Sequence, residues 1–145
     1  MVYFQFKPSS KTGTFSKNPF QKAWAVFHIL AERYLSKAFA KAVKTPFSLQ
    51  WFGRSVIHHP EVKSADIIHL HWINHGFLSP KFLAELDELE KPVVWTFHDS
   101  NAFTGGCHVR YSCENYHKEC GSCPLLRFSG KNDLSHKTWM RKKKA

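Results

Sequence analysis

The chain has 145 residues, 43% of them hydrophobic and 15% aromatic. That excludes a disordered chain and suits one domain with its own core. No apolar run approaches the ~18 residues of a membrane span, and 21 basic against 11 acidic residues leave a formal charge of +10.

Such a charge favours anionic partners: nucleic acid, phosphorylated substrates or an anionic membrane surface. The bland alternative is a basic surface with no partner, and the run Arg141–Lys144 reads as a solvated helix end. The start, MVYFQFKPSSK, has no basic region followed by an apolar stretch. A cytoplasmic location is therefore expected, where clustered cysteines are more often metal ligands than disulfides.

In chain order, residues 1–46 form an N-terminal segment. Val2–Phe6 suits a short strand. Asn18–Pro19 then reads as an N-cap followed by proline at the first helical position. Phe20, Trp24, Phe27, Ala31, Tyr34, Ala38 and Ala42 recur at helical spacing, predicting an amphipathic helix over 19–44. Lys22, Arg33, Lys37, Lys41 and Lys44 lie off that stripe. Such a helix either lies on an anionic membrane or packs on a core, and packing is the commoner outcome.

Residues 47–145 make the second segment. Residues 47–64 read as irregular, with Gly53 and Pro60 as breakers. Asp66–Trp72 (DIIHLHW) is a near-continuous apolar run, the pattern of a strand covered on both faces. Ser79–Pro80 starts a helix whose stripe is Phe82, Leu83, Leu86 and Leu89. Pro92 ends it, and Val93–Phe97 is the next strand. Strand, helix and strand in so short a span predict a parallel βαβ unit with a right-handed crossover. The remainder is a loop, then a helix over 134–144 capped by Asp133. The fold class is α/β. Two strands do not make a stable sheet alone, and no Gly-rich phosphate loop follows a first strand. Either further strands are weakly patterned, or the chain is part of a larger protein.

Ligands of open α/β sheets bind beyond the carboxyl ends of the strands. Here the first strand ends in His69, His71, Asn74, His75 and Gly76, the second in His98, Asp99, Ser100 and Asn101. His98 is the candidate catalytic residue, able to hydrogen-bond a hydroxyl or take a proton near neutral pH. Asp99 could orient it or bind hydroxyls. The competing reading is that these side chains cap the following turns. His69 and His71 share one strand face, so a metallohydrolase centre completed by His98 and Asp99 is a further alternative. Cys107, Cys113, Cys120 and Cys123 follow C-x5-C and C-x2-C spacing across the loop 105–124. They suit a structural zinc site, with disulfides or free thiols as alternatives and His108 and His117 as substitute ligands.

The stretches ADIIHLHWINHGFLS and KPVVWTFHDSNAFTGGCH, with the following CGSCP, resemble the N-terminal half of bacterial family-4 glycosyltransferases. The likeness spans roughly residues 47–140. It implies half of a GT-B architecture: a partial Rossmann-like domain that receives the acceptor, facing a second domain that binds the nucleotide-sugar donor. It implies retaining transfer to a glycan or lipid-linked acceptor in cell-surface polysaccharide synthesis, at the inner face of the membrane. On this sequence His98 matches the histidine facing the donor sugar. His71, Trp72, Asn74 and Gly76 match the acceptor-side loop, and Thr104, Gly105 and Gly106 match the turn before the cysteines. Asn101 stands where the family often has an aromatic. The family's first strand, Gly-rich turn and donor domain have no counterpart here, so the chain is expected to be a fragment, inactive alone. The contrasting expectation is a zinc-stapled basic nucleic-acid-binding module, which the scattered basic residues and the acidic 85–90 helix disfavour.

Overall fold

The computed structural model describes residues 18–41 and 46–145. Val2–Phe6 lies outside them. The chain is a mixed helix and strand fold around one small parallel sheet.

Helix α1 runs Pro19–Phe39. Asn18 is extended and its Oδ1 accepts from Gln21 N at 2.8 Å, as the sequence suggested. The helix ends at Phe39, earlier than the expected 44. There the chain turns to pair with the cysteine loop: Ala40 bridges Leu126, Lys41 N donates to Leu125 O and Arg127 N to Phe39 O. Which face of α1 packs is the larger correction. The buried residues are Ala25, His28, Glu32 and Ser36, while Phe20, Trp24, Phe27 and Tyr34 are exposed. The reason is Glu32. Its carboxylate is fully buried and accepts from Gln50 N at 2.6 Å and Trp51 N at 3.2 Å. Residues 48–52 have no helical partners for these amides, and a buried amide must find an acceptor. Burial pushes the Glu32 carboxyl above its ordinary range, with the backbone N–H bonds opposing the shift.

Pro60 starts an element instead of breaking one. Helix α2, Pro60–Ser64, has His59 as N-cap and proline at its first position. Its C-terminal carbonyls are held by the Lys91 ammonium, which donates to Lys63 O and to Ala65 O.

The βαβ unit forms as expected. Strand β1 is Ile68–Leu70, helix α3 is Pro80–Ala84, extended by a 3-10 turn Glu85–Leu89, and strand β2 is Val93–Trp95. β1 and β2 are parallel, with Ile68 opposite Val93 and Leu70 opposite Trp95. Both strands are shorter than the apolar runs that announce them. Ile68, Leu70, Ile73, Leu78 and Leu86 fill the core beneath, with Phe82, Leu83 and Leu89 against it. Each fully buried aliphatic contributes about 1.5–3 kcal/mol. The other face is not covered: Ile67, His69 and Val94 are exposed, and on the core side Val93, at the edge, is exposed as well.

A second cluster joins Ala40, Phe47, Leu49, Cys123 and Leu126. It ties α1 to the cysteine loop. Helix α4, Leu134–Lys143, is capped by Asp133, whose Oδ1 accepts from Ser135 N and His136 N. Burial pushes the Asp133 carboxyl up, but bonds from Ser135, Cys123, Gly130 and His136 outweigh it and hold the group below its ordinary value. Arg141–Lys144 is not simply a solvated end. Arg141 stacks on Trp51 at 4.3 Å, and the Lys142 ammonium is buried against Asn101 Oδ1 (2.9 Å) and Thr104 O (3.2 Å). Burial lowers the Lys142 pKa to about 7.

Candidate functional site

The parallel register carries the two strand ends to one edge. His71 Nδ1 lies 2.9 Å from His98 Nε2, so one ring nitrogen donates and the other accepts. His69 shares their face, its ring 4.2 Å from that of His71 and its Nε2 2.8 Å from Thr96 Oγ1. Local desolvation first, then the neighbouring His69 and His98, hold His71 below the ordinary histidine range. Trp72 and Phe97 stand exposed beside the pair. The depression lined by His71, Trp72, Asn74, Phe97, His98 and Asp99 has a volume of about 10 Å³, room for about one water. A larger ligand would lie across these strand ends.

Asp99 does not orient His98. Its Oδ1 accepts from Asn101 N at 2.7 Å, capping a 3-10 turn Ser100–Phe103. Its Oδ2 meets His108 Nδ1 at 2.6 Å, and His108 Nε2 lies 2.8 Å from Ser48 Oγ. A carboxylate only accepts, so His108 Nδ1–H donates to Asp99. His108 Nε2 is then free to accept the Ser48 hydroxyl. His75 stacks on His108 at 5.8 Å. This is the bond order of a hydrolase triad, but Ser48 is 0% and His108 3% exposed. A nucleophile that no substrate can reach is a structural clamp. Here it ties the strand end to residues 46–52. His108 is therefore engaged and is no substitute metal ligand. Sequence reading missed Ser48 altogether. Its only signal was a serine in an apolar segment, 60 residues from its partner.

The remaining sequence-derived residues divide clearly. Asn101 is fully buried: Nδ2 donates to Gly106 O at 2.8 Å and to Ser48 O at 3.2 Å. Thr104 is buried, its hydroxyl donating to Cys107 O at 2.7 Å. A side chain on Gly105 would meet Ser135 O at 2.2 Å, and one on Gly106 would meet the Phe47 ring at 2.6 Å. Gly76, at φ +78°, lets α1 approach: a Cβ there would sit 2.9 Å from the His28 carbonyl carbon. These five residues serve packing and line no part of the strand-end depression. His71, Trp72, Asn74, His98 and Asp99 do line it.

All four cysteines are free thiols. Gly105 N donates to Cys120 Sγ at 3.2 Å. Burial first, then neighbouring groups including the other thiols, push Cys120 and Cys123 up to about 11. Among the described residues no three His, Cys, Asp or Glu side chains converge as a preformed metal site requires, the histidines of the metallohydrolase alternative included. No helix among them is long and apolar enough to cross a membrane.

No protein-family model, curated protein or solved structure matches the chain.

Proposed function

We propose that this chain is the acceptor-side part of a retaining glycosyltransferase, a partial Rossmann-like half of a GT-B enzyme that builds cell-surface polysaccharide. The observation that supports it most is the His71–His98 pair at the ends of two parallel strands, ringed by exposed Trp72 and Phe97. Sugars present hydroxyls that need both donors and acceptors, and apolar C–H faces that rest on aromatic rings. The imidazole pair supplies both hydrogen-bonding roles beside two such rings. When His98 Nε2–H donates to His71 Nδ1, His98 Nδ1 keeps its lone pair for the proton of an attacking hydroxyl. The glycan or lipid-linked acceptor lies across the strand ends, and the nucleotide-sugar donor is bound mainly by a domain outside this sequence.

In this reading Cys107, Cys113, Cys120 and Cys123 would be the ligands of one structural zinc. Four free thiols suit tetrahedral zinc, and the Gly105 amide on Cys120 Sγ is the kind of bond that supports a metal thiolate. The ion would hold the loop and take no part in transfer.

The test uses octyl glucoside and octyl galactoside as soluble lipid-linked sugars. Either should shift the side-chain NMR signals of His71, His98 and Trp72 at millimolar concentration, and His98→Ala should abolish the shifts. No shift at these residues sinks the reading. Sugar transfer from UDP-glucose by this chain alone would sink the division of labour between domains.

A further inference from the structure

Helix α1 turns the wrong face to solvent for a helix that only supports a core. Phe20 is 87% and Tyr34 74% exposed, and Trp24, Phe27 and Leu30 between them are more than half exposed. These residues sit three or four apart, so they form one continuous stripe along the helix. Exposed aromatic stripes of this length on a soluble surface mark an interaction site.

The charge around the stripe says what covers it. Lys22, Arg33 and Lys37 are exposed on the same helix. The one acidic residue of α1, Glu32, is fully buried beneath Gln50 and Trp51. The outward surface of α1 is thus aromatic and cationic with no exposed carboxylate. Trp and Tyr favour the boundary between headgroups and acyl chains, and lysine and arginine favour anionic headgroups. A helix of 21 residues is about 30 Å long. It lacks the apolar run needed to span a bilayer, but it suits lying in the plane of one.

We propose that α1 docks this protein on the surface of an anionic lipid bilayer, with Phe20, Trp24, Phe27 and Tyr34 entering the headgroup boundary and Lys22, Arg33 and Lys37 on anionic headgroups. The buried Glu32 face keeps the rest of the chain attached on the solvent side. This rests on α1 alone and stands whether or not the chain serves a glycosyltransferase.

The test is sedimentation of the full chain with large unilamellar vesicles. One set is phosphatidylcholine; the other carries phosphatidylglycerol as a quarter of its lipid. Binding is expected to the second set and to fall in high salt. Two variants separate the contributions: Phe20→Ser with Phe27→Ser, and Lys22→Glu with Lys37→Glu. Each should weaken partitioning to anionic vesicles by at least about tenfold. Because these side chains are exposed, both variants should keep the thermal unfolding curve of the parent, which serves as the folding control. Failure of the parent to bind anionic vesicles at low salt overturns the proposal. So does binding that neither variant weakens. A dimer in gel filtration that the phenylalanine variant dissolves, without vesicle binding, overturns it in favour of a second copy on this face.

Discussion

Replacing Ser48 by alanine distinguishes a clamp from a catalytic triad. Ser48 Oγ lies 2.8 Å from His108 Nε2 and 3.5 Å from His75 Nδ1, in a residue with no exposed surface. Ser48→Ala removes the hydrogen bond to His108, worth about 0.5–1.5 kcal/mol net. It also leaves a buried ring nitrogen without a partner, which costs about 1–3 kcal/mol. The second figure already contains the first, so the expected cost is about 1–3 kcal/mol. For a chain of this size each kcal/mol moves the midpoint about 3 °C, so Tm should fall by about 3–9 °C. Circular dichroism at 222 nm follows the unfolding. The companion assay is hydrolysis of p-nitrophenyl acetate, which a reachable Ser–His–Asp set would accelerate. The clamp reading expects the parent and Ser48→Ala to hydrolyse it equally, at the rate of exposed histidines. An unchanged Tm, or ester hydrolysis that depends on Ser48, would refute it.

Asp133→Ala removes the cap of α4 together with the acceptor of Cys123 N and Gly130 N, and should cost about 2–3 kcal/mol by denaturant titration. Because the folded state holds the Asp133 carboxyl below its ordinary value, that stabilisation is complete above the ordinary aspartate range. It is lost as pH falls through the depressed folded value, so the parent and Asp133→Ala should converge in stability at the acid end; a constant gap down to full acid unfolding contradicts the assignment. Gly105→Ala forces a methyl against Ser135 O, a backbone atom that α4 holds in place, and should cost at least about 1–3 kcal/mol. An alanine variant as stable as the parent would show that α4 gives way. Metal analysis of protein purified without chelator should find one zinc per chain, lost in Cys120→Ser with Cys123→Ser, and chelation should lower Tm. Zinc-free protein with unchanged Tm on chelation removes the staple.

Local signals in this chain were legible wherever one or two residues carry the physics. Asn18–Pro19 starts α1 and Asp133 starts α4 because a side-chain oxygen beside free helix amides acts over a few residues. The βαβ unit was legible because its apolar runs and Pro80 and Pro92 punctuate it, and the His71–His98 meeting followed from parallel pairing. Strand lengths were overread: apolar residues continue past Leu70 and Trp95, but the paired register ends there, with only the Thr96 N bond to Leu70 O beyond it. Pro60 was misread because the same residue that ends one element starts another when it sits at the first helical position.

Sequence by itself determined the starts of α1 and α4 with their Asn18 and Asp133 caps, the βαβ order and the polar strand ends, all carried by local residue patterns. Tertiary structure decided the rest. Periodicity marked α1 as amphipathic but gave the core the aromatic stripe; the buried side instead holds Glu32, because the amides of Gln50 and Trp51 needed an acceptor that only the folded chain brings near. Likewise Asp99 looked available to His98, yet it is held by His108, which Ser48 holds in turn. Such choices depend on which buried polar group finds which partner, and those partners are 9, 18 and 60 residues apart. Satisfying them turned a set of polar strand-end residues into two groups: a buried clamp, and a histidine pair at the strand ends with His71 half-buried and His98 exposed.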